Sequence, residues 1–266
     1  MRPRMTDEIT LDTPESFFSG PTLELWNTIV PAELTTAELT FLADRFRGIS
    51  GRQTPRLLDL ACGSGRHALG LAKNRFDVTG LDLVESELAT LSARAKAMNV
   101  TIETVALDMR EVGALADKPG FKAFDGAYIF GNAVGYIEQD ELEEFFDALA
   151  AVVRVGGRLV FETSMVAEAL LHRFQDDVAI DGGDIKVHIE NEYDVVESRV
   201  IGTYTYEVRG EKLVKRFAHH VVTTRELFAA LEGAGFEVEQ ALGDLEGSDF
   251  ELHDPRLIVV ARRVEI

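Results

Sequence analysis

The regular alternation of short apolar runs with amphipathic segments between Arg56 and Ser164 most constrains the fold of this chain. The apolar runs are RLLDLA, FDVTGLDL, VTIETVALD, FDGAYIFGN and GGRLVFETS, and segments such as HALGLAKNR and VESELATLSARAKAMN separate them. Strands that alternate with helices predict a parallel sheet covered on both faces, and right-handed crossovers make it doubly wound. Two closing runs, FEVEQALG and RLIVVARRV, add two strands. We therefore predict an α/β protein with a doubly wound, seven-stranded, mostly parallel sheet.

Two regions depart from this alternation. The segments IKVHIENEYDVV, RVIGTYTYEVR and KLVKRFAHHVV, separated by short turns, are typical of an antiparallel β meander. Near the start, FFSGPTLELWNTIV and TTAELTFLADRFRG favour two helices, and Thr35 with Glu38 forms a capping-box pattern. A second such pattern, Thr223 with Glu226, precedes ELFAALEGAGF. The predicted parts are a helical cap at 1–50, an α/β domain at 51–169 and 223–266, and an inserted meander at 170–222 that serves as a lid or dimerisation subdomain.

Charge and composition narrow the class of partner. The 266 residues carry 46 acids against 27 bases, a formal net charge of −19, which disfavours binding to nucleic acid or anionic lipid. No apolar run approaches the roughly 20 residues of a membrane span, and the N-terminus lacks a signal-like apolar region. The single cysteine suits a reducing compartment. We expect a cytoplasmic protein that acts on a small molecule, with no nucleic-acid partner, no membrane association and no metal, and with a homodimer as one possible assembly.

The stretch LLDLACGSGRHALGLA joins an apolar strand to a helix through Gly63 and Gly65. Glycine permits a sharp turn and lets a ligand approach the backbone, so this bend is typical of a nucleotide-type cofactor site. The pattern continues Gly63, Gly65, Ala68, and the dinucleotide fingerprint tolerates alanine at its third position. The motif alone therefore leaves NAD open.

Acids at the ends of the next two strands distinguish the alternatives. Asp82 ends the second predicted strand, where one carboxylate suits the two hydroxyl groups of a ribose. Asp108 ends the third, where it could accept from the exocyclic amine of adenine. Met109 and Leu83 are placed to contact the two faces of the ring.

Taken in order and spacing, LLDLACGSGRHALGLA, VTGLDL, VALDMR, FDGAYIFGN and VVRVGGRLVFET resemble the class I S-adenosylmethionine-dependent methyltransferases. The resemblance covers roughly residues 35–163 and the two closing strands. It implies a Rossmann-like methyltransferase fold, with S-adenosyl-L-methionine as cofactor and S-adenosyl-L-homocysteine as product. Val155 stands where the family has the proline of a Pro-Gly-Gly turn. The predicted cofactor-binding residues are Asp59, Ala61, Cys62, Gly63, Gly65, Arg66, His67, Asp82, Leu83, Asp108, Met109, Phe130 and Gly131.

Several of these residues have simpler roles open to them. Asp59 could be a loop acid and Asp82 a helix cap, although their motif context favours the cofactor. Cys62 fits a packing residue better than a nucleophile, because only His67 in this motif could activate it. Arg66 would contact the cofactor's carboxylate or cap the fold, and the sequence leaves both open.

The acceptor side is predicted from GNAVGYIEQDE, which follows the fourth strand at the edge where α/β sheets bind ligands. Asn132 and Tyr136 in this segment, together with His220, are the candidate catalytic residues, for positioning the acceptor or as a base. The segment is similar to small-molecule methyltransferases of the sugar-amine and glycine N-methylating kinds.

Substrate contacts are predicted from Tyr136, from the N-terminal Trp26, and from Tyr193 and His188 of the meander. Trp26 could equally be a core residue. Strand alternation puts His188 on the face opposite Tyr193. A dimer interface with solvated histidines is the competing interpretation of the meander.

These observations predict a methyltransferase that acts on a small metabolite, at nitrogen first and at oxygen or carbon next. An NAD-linked oxidoreductase and a non-catalytic protein that binds the adenosyl cofactor are the more distant alternatives.

Overall fold

The computed structural model describes residues 10–49, 51 and 54–265. The helices in chain order are α1 Pro14–Phe17, α2 Pro21–Ile29, α3 Ala32–Phe46, α4 Arg66–Lys73, α5 Glu85–Ala97, α6 Leu142–Val152, α7 Ala167–Leu170 and α8 Thr224–Gly233. The strands are β1 Arg56–Leu60, β2 Asp77–Asp82, β3 Glu103–Ala106, β4 Phe124–Ile129, β5 Val153–Thr163, β6 Asp177–Asp181, β7 Ile185–Asp194, β8 Arg199–Val208, β9 Glu211–His220, β10 Phe236–Leu242 and β11 Leu257–Arg263. Short 3-10 helices cover Met109–Leu115, Ala133–Tyr136, Gln139–Glu141 and Leu171–Arg173.

Seven strands form one sheet in the order β10-β11-β5-β4-β1-β2-β3. The five strands from β1 to β5 pair in parallel, while β11 runs antiparallel to both β5 and β10. The predicted doubly wound, mostly parallel seven-stranded sheet is confirmed. Because β1 lies between β2 and β4, its carboxyl end lies beside theirs at one edge of the sheet.

Both faces of this sheet are buried, because alternate residues of each strand contribute to opposite cores. On β1, Leu58 belongs to a core that includes Phe146 of α6 and Leu227 of α8. Its neighbour Leu57 belongs to the other core, with Phe46 of α3. Burial on both faces explains why β1 and β4 carry apolar residues on both faces, interrupted within the strands by the buried Asp59 and Asp125.

The second sheet is antiparallel, in the order β6-β7-β8-β9. The inserted meander is confirmed, but it has a fourth strand, β6, that the sequence did not reveal. β6 has only five residues, with an aspartate at each end and no buried residue, and the alternation of Val178 and Ile180 is too short a pattern to mark a strand. Along β7 the predicted alternation holds: Val187 is buried and His188 is exposed.

The predicted capping box of Thr35 and Glu38 is wrong. The helix α3 begins three residues earlier, at Ala32, after Pro31, which has no side-chain cap. Glu38 is 1% exposed in the middle of the helix. The second predicted box is present, since Thr223 and Glu226 exchange side-chain-to-backbone hydrogen bonds at the start of α8.

The chain divides into two compact units whose boundaries differ from the predicted ones. One unit contains Val30–Phe174 and the described residues from His220 onward, so α3 belongs to the α/β unit. The other contains Gln175–His219 with the described residues up to Ile29. The N-terminal helices join the meander because Lys215 of β9 donates to three backbone carbonyls around α1, those of Ser16, Phe17 and Ser19, at 2.6–2.9 Å.

A substitution in β4 tests how closely α3 packs on the sheet. A Cβ atom at Gly126 would lie 2.4 Å from the Phe46 ring and 3.0 Å from the Arg158 carbonyl oxygen. We expect Gly126→Ala to lower the free energy of unfolding by roughly 1–3 kcal/mol, since overpacking displaces a buried ring. Urea unfolding measures this. Gly113→Ala, whose Cβ would meet nothing nearer than 3.4 Å, is the matched control; equal losses in the two variants would contradict the packing argument.

Candidate functional site

The bend after β1 is held closed by Asp82 at the end of β2. Gly63 has a φ of 51°, and its N–H donates to Asp82 Oδ2 at 2.7 Å. Val84 N–H donates to Asp82 Oδ1 at 2.9 Å. A Cβ at Gly63 would meet only Glu87 Oε2, at 3.8 Å, so open space faces the backbone there. The bend can therefore accept a ligand close to its main chain.

Gly65 has a packing role that the sequence did not reveal, and its contact with a cofactor stays a prediction. Its φ is 80°, and a Cβ there would lie 2.2 Å from Leu91 Cδ1 of α5. Glycine is required at this position because α5 packs directly against it. Arg94, also on α5, donates to Ser64 O at 2.9 Å and to Ser64 Oγ at 3.1 Å. Arg94 was not predicted, because no local motif marks a contact across thirty residues.

Asp82 keeps acceptor capacity beyond these contacts. Burial raises the pKa of its carboxyl group, and the N–H bonds from Val84 and Gly63 oppose that rise. Oδ2 accepts from the Gly63 N–H and Oδ1 from the Val84 N–H, whereas an ionised carboxylate has about four acceptor sites. The remaining sites suit a ligand diol.

Asp59 is the most buried acid of the site. It is 2% exposed, and its Oδ2 atom has no hydrogen-bond partner within the described part of the chain. Burial raises the pKa of its carboxyl group to about 7, against the opposing effects of the Tyr128 hydroxyl, the Arg66 charge and the Ala68 N–H. The register of β1 and β4 puts Tyr128 directly beside it, and burial raises the pKa of that phenol well above its usual value. A buried acceptor without a donor beside an open backbone fits a ligand that brings a donor.

Cys62 is a packing residue, as expected. It is 8% exposed, and burial together with the nearby Asp59 and Asp82 raises the pKa of its thiol. His67, the residue considered as its activator, directs its Nε2 at Glu38 Oε2, 2.9 Å away. The thiol therefore remains protonated and weakly nucleophilic.

Asp108, the residue predicted to bind adenine, is already paired with Arg110, which the sequence did not predict. Asp108 accepts from the Arg110 backbone N–H at 2.9 Å and from Arg110 Nη2 at 2.6 Å. Burial would raise the pKa of Asp108, but the bonds from Arg110 outweigh it and hold the pKa below its usual value. Leu107 N–H donates to the Asp82 carbonyl at 3.0 Å, so the tips of β2 and β3 are adjacent. Met109 is 9% exposed beside them.

A network of charged side chains, which we call the Glu38 network, joins α3 to α4, the helix that follows the bend. Glu38 Oε2 accepts from His67 and from Arg66 Nη1. Arg256 Nη1 lies 3.7 Å from Glu38 Oε1 and 3.6 Å from Glu162 Oε2. Burial would raise the pKa of Glu38, but the bonds from His67 and Arg66 keep it below its usual value. Burial also lowers the pKa of His67. Of the two roles left open for Arg66, this contact favours holding the fold.

The turn after β4 is fixed by two reciprocal contacts, which we call the β4–β5 clasp. Glu162 Oε1 accepts from the N–H groups of Gly131 at 2.9 Å and Asn132 at 3.1 Å. In return, Asn132 Oδ1 accepts from Thr163 Oγ1 at 3.1 Å and from Ser164 N–H at 2.9 Å. The amide oxygen of Asn132 is thus engaged by the fold, which leaves its amino group for a ligand. Glu162 was missed, since it lies inside an apolar strand.

The other two candidate catalytic residues belong to the same unit. Tyr136 ends the 3-10 helix that follows Asn132. His220 lines a small cavity together with Gly135 and Thr163. A backbone bridge between Val166 and Val222 brings the segment after β5 beside the one that carries His220. Residues from distant parts of the chain therefore meet near the clasp.

The remaining predicted substrate residues lie in the meander unit. Trp26 is 42% exposed, so the core alternative for it is wrong. His188 Nε2 lies 2.6 Å from Asp177 Oδ2 on the exposed face of the sheet, and Tyr193 is half-buried. Their contact with substrate stays a prediction. The described residues contain no group of three side chains suited to a metal ion, and none of their helices has the length and apolarity of a membrane span.

This chain resembles methyltransferases in sequence and in structure. Residues 57–157 match a family described as a methyltransferase domain. A methyltransferase-family protein of Geobacillus sp. (strain WCH70) is 31% identical over 221 residues, covering 80% of this chain and 87% of that protein. A solved S-adenosylmethionine-dependent methyltransferase from Clostridium acetobutylicum superposes with a TM-score of 0.74 at 16% identity, over 91% of this chain and 96% of the other. An amino pentose methyltransferase from Micromonospora echinaspora gives 0.65 at 23% identity, over 90% and 95%.

The buried carboxyl of Asp59 should make stability depend on pH. Its pKa of about 7 in the folded chain exceeds the ordinary 3.8, so the stability it contributes is full below about 4 and is lost as the pH rises through 7. Relative to Asp59→Asn, we expect the ligand-free protein to lose on the order of 4 kcal/mol of unfolding free energy between pH 4 and pH 8. Chemical denaturation of both proteins across that range measures it, and parallel pH profiles would contradict the assignment.

Proposed function

The chain belongs to the class I S-adenosylmethionine-dependent methyltransferases, and we propose that it transfers the methyl group to a nitrogen atom of a small metabolite. The observation that carries the proposal is the pair of adjacent features at the sheet edge: an open backbone bend at Gly63, and the orphaned carboxylate oxygen of Asp59. The acidic chain, with a net charge of −19, suits a neutral or cationic acceptor such as an amine. Oxygen is the next acceptor atom to test.

The residues around the bend fit the cofactor. Asp82 would hold the ribose hydroxyls with its unused lone pairs, and Asp108 with Met109 would hold the adenine. Asp59 would face the amino-acid part, since its buried oxygen lacks a donor. The backbone is open at Gly63, and also at Gly131, where a Cβ would meet nothing within 4 Å. S-adenosyl-L-homocysteine is the expected product.

The chain's part in the transfer is to orient the acceptor and exclude water. The bound cofactor supplies an electrophilic methyl group on a positively charged sulfur. An amine that arrives protonated must lose a proton before it can attack. We assign that task to His220 and the orientation of the acceptor to Asn132 and Tyr136, with Trp26, Tyr193 and His188 as further substrate contacts from the meander unit.

The ribose assignment predicts a specific loss of affinity. Removing the carboxylate in Asp82→Ala should weaken binding of S-adenosyl-L-homocysteine by about tenfold or more, because it deletes charge-assisted hydrogen bonds to the ligand. Isothermal titration measures the dissociation constant. Asp82→Asn keeps an oxygen that can accept from the Gly63 N–H. This variant therefore tests ligand binding while the contact that holds the bend is retained. Asp77→Ala, at the opposite end of β2, is the control. An unchanged dissociation constant in both Asp82 variants would refute the role.

The proposed reaction is tested by methyl transfer from labelled cofactor into a cell extract. We expect the label in the low-molecular-weight fraction, on a nitrogen identified by mass spectrometry. Label confined to nucleic acid or protein would overturn the small-molecule acceptor. An oxygen- or carbon-methylated product would correct the acceptor atom while leaving the class of reaction intact.

A further inference from the structure

Arg256 is an arginine whose hydrogen-bonding capacity the fold leaves unused. It immediately precedes β11, and the next residue, Leu257, pairs with Thr163 at the carboxyl end of β5. Its side chain is 22% exposed. It therefore lies at the edge of the sheet where the acids of the candidate site are found.

The guanidinium of Arg256 is electrostatically paired but forms no hydrogen bond to any described residue. Its Nη1 atom lies 3.6 Å from Glu162 Oε2 and 3.7 Å from Glu38 Oε1, which are ion-pair separations beyond hydrogen-bonding distance. A guanidinium has five N–H donors in a rigid planar fork. Two carboxylates thus hold its charge in place while its donors stay available.

The two carboxylates are themselves committed to other partners. Glu38 uses its Oε2 atom for His67 and Arg66. Glu162 uses its Oε1 atom for the Gly131 and Asn132 N–H groups. Arg66, by contrast, has hydrogen bonds to Glu38 and to Thr35. Arg256 is therefore better suited than Arg66 to bind an outside anion.

We propose that Arg256 binds the carboxylate of a ligand and makes the site selective for an amine that carries one. The guanidinium fork matches a carboxylate in bidentate geometry. Glu162 links Arg256 directly to the Asn132 turn, which places the arginine on the acceptor side of the clasp. This inference rests on the proposed function. The amino-acid part of the cofactor also has a carboxylate, so two experiments decide whether Arg256 binds the carboxylate of the acceptor or that of the cofactor.

The first arm measures binding alone, by isothermal titration of S-adenosyl-L-homocysteine and of 5′-methylthioadenosine, which lacks the amino-acid part. The variants are Arg256→Gln and Arg256→Lys. The lysine keeps the charge beside Glu38 and Glu162 but loses the fork, so it remains informative if the glutamine variant does not fold. A loss of about tenfold or more confined to S-adenosyl-L-homocysteine would identify the cofactor as the source of the carboxylate.

The second arm measures transfer of labelled methyl into a metabolite extract, with products separated by anion exchange. If the acceptor carries the carboxylate, both variants should bind S-adenosyl-L-homocysteine like the parent protein and form the carboxylate-bearing labelled products at least about tenfold more slowly. These products are zwitterions near neutral pH, so the anion-exchange column is run above the pKa of the amine. Arg262→Gln, at the opposite end of the same strand, is the control and should match the parent in both arms.

The proposal is overturned if both Arg256 variants bind and transfer like the parent protein, or if the labelled products carry no carboxylate and binding is unchanged. Failure of the proposed function has a different signature: the parent protein itself would transfer no label. In that event the first arm still decides whether Arg256 binds a carboxylate.

Discussion

The parallel pairing of β1 with both β2 and β4 is the constraint on which the rest of the structure depends. Parallel strands end at a common edge, so residues separated along the chain are brought together where their strands stop. Asp59, Asp82 and Asn132 are neighbours for this reason. The sheet is buried on both faces, and ligands of α/β sheets bind at the edge formed by the carboxyl ends of the strands.

Burying acids at this edge has an energetic cost that the fold offsets in different ways. Glu38 is compensated by Arg66 and His67, and its pKa stays below the usual value. For Asp59, burial outweighs the opposing effects of the Tyr128 hydroxyl and the Arg66 charge, and its pKa rises to about 7. Charges that are paired within the fold stabilise it, whereas an acceptor left without a donor is a group held ready for a ligand. The contrast separates structural acids from ligand-binding ones.

The clasp fixes the turn after β4 mainly through side-chain-to-backbone bonds, and the Glu38 network adds contacts between side chains. Glu162 contacts both, because one of its oxygens holds the Asn132 turn and the other faces Arg256. A loop fixed in this way can present a ligand-binding group without reorganising, which favours precise orientation of reactants. The meander unit has its own core, in which Thr22 and Tyr206 are joined at 3.0 Å.

The sequence by itself determined the α/β class, the inserted meander, the glycine bend and the acids at the strand tips, because strand and helix periodicities and turn residues are local signals. It could not reveal β6, whose alternation is limited to Val178 and Ile180, or the true start of α3. Only the tertiary structure decided that Gly65 serves packing against Leu91, that Glu38 is a buried partner of Arg66 rather than a cap, and that Glu162 and Arg256 meet at the sheet edge. These contacts join residues up to 218 positions apart, such as Glu38 and Arg256, and no periodicity records which distant side chains a fold brings within reach.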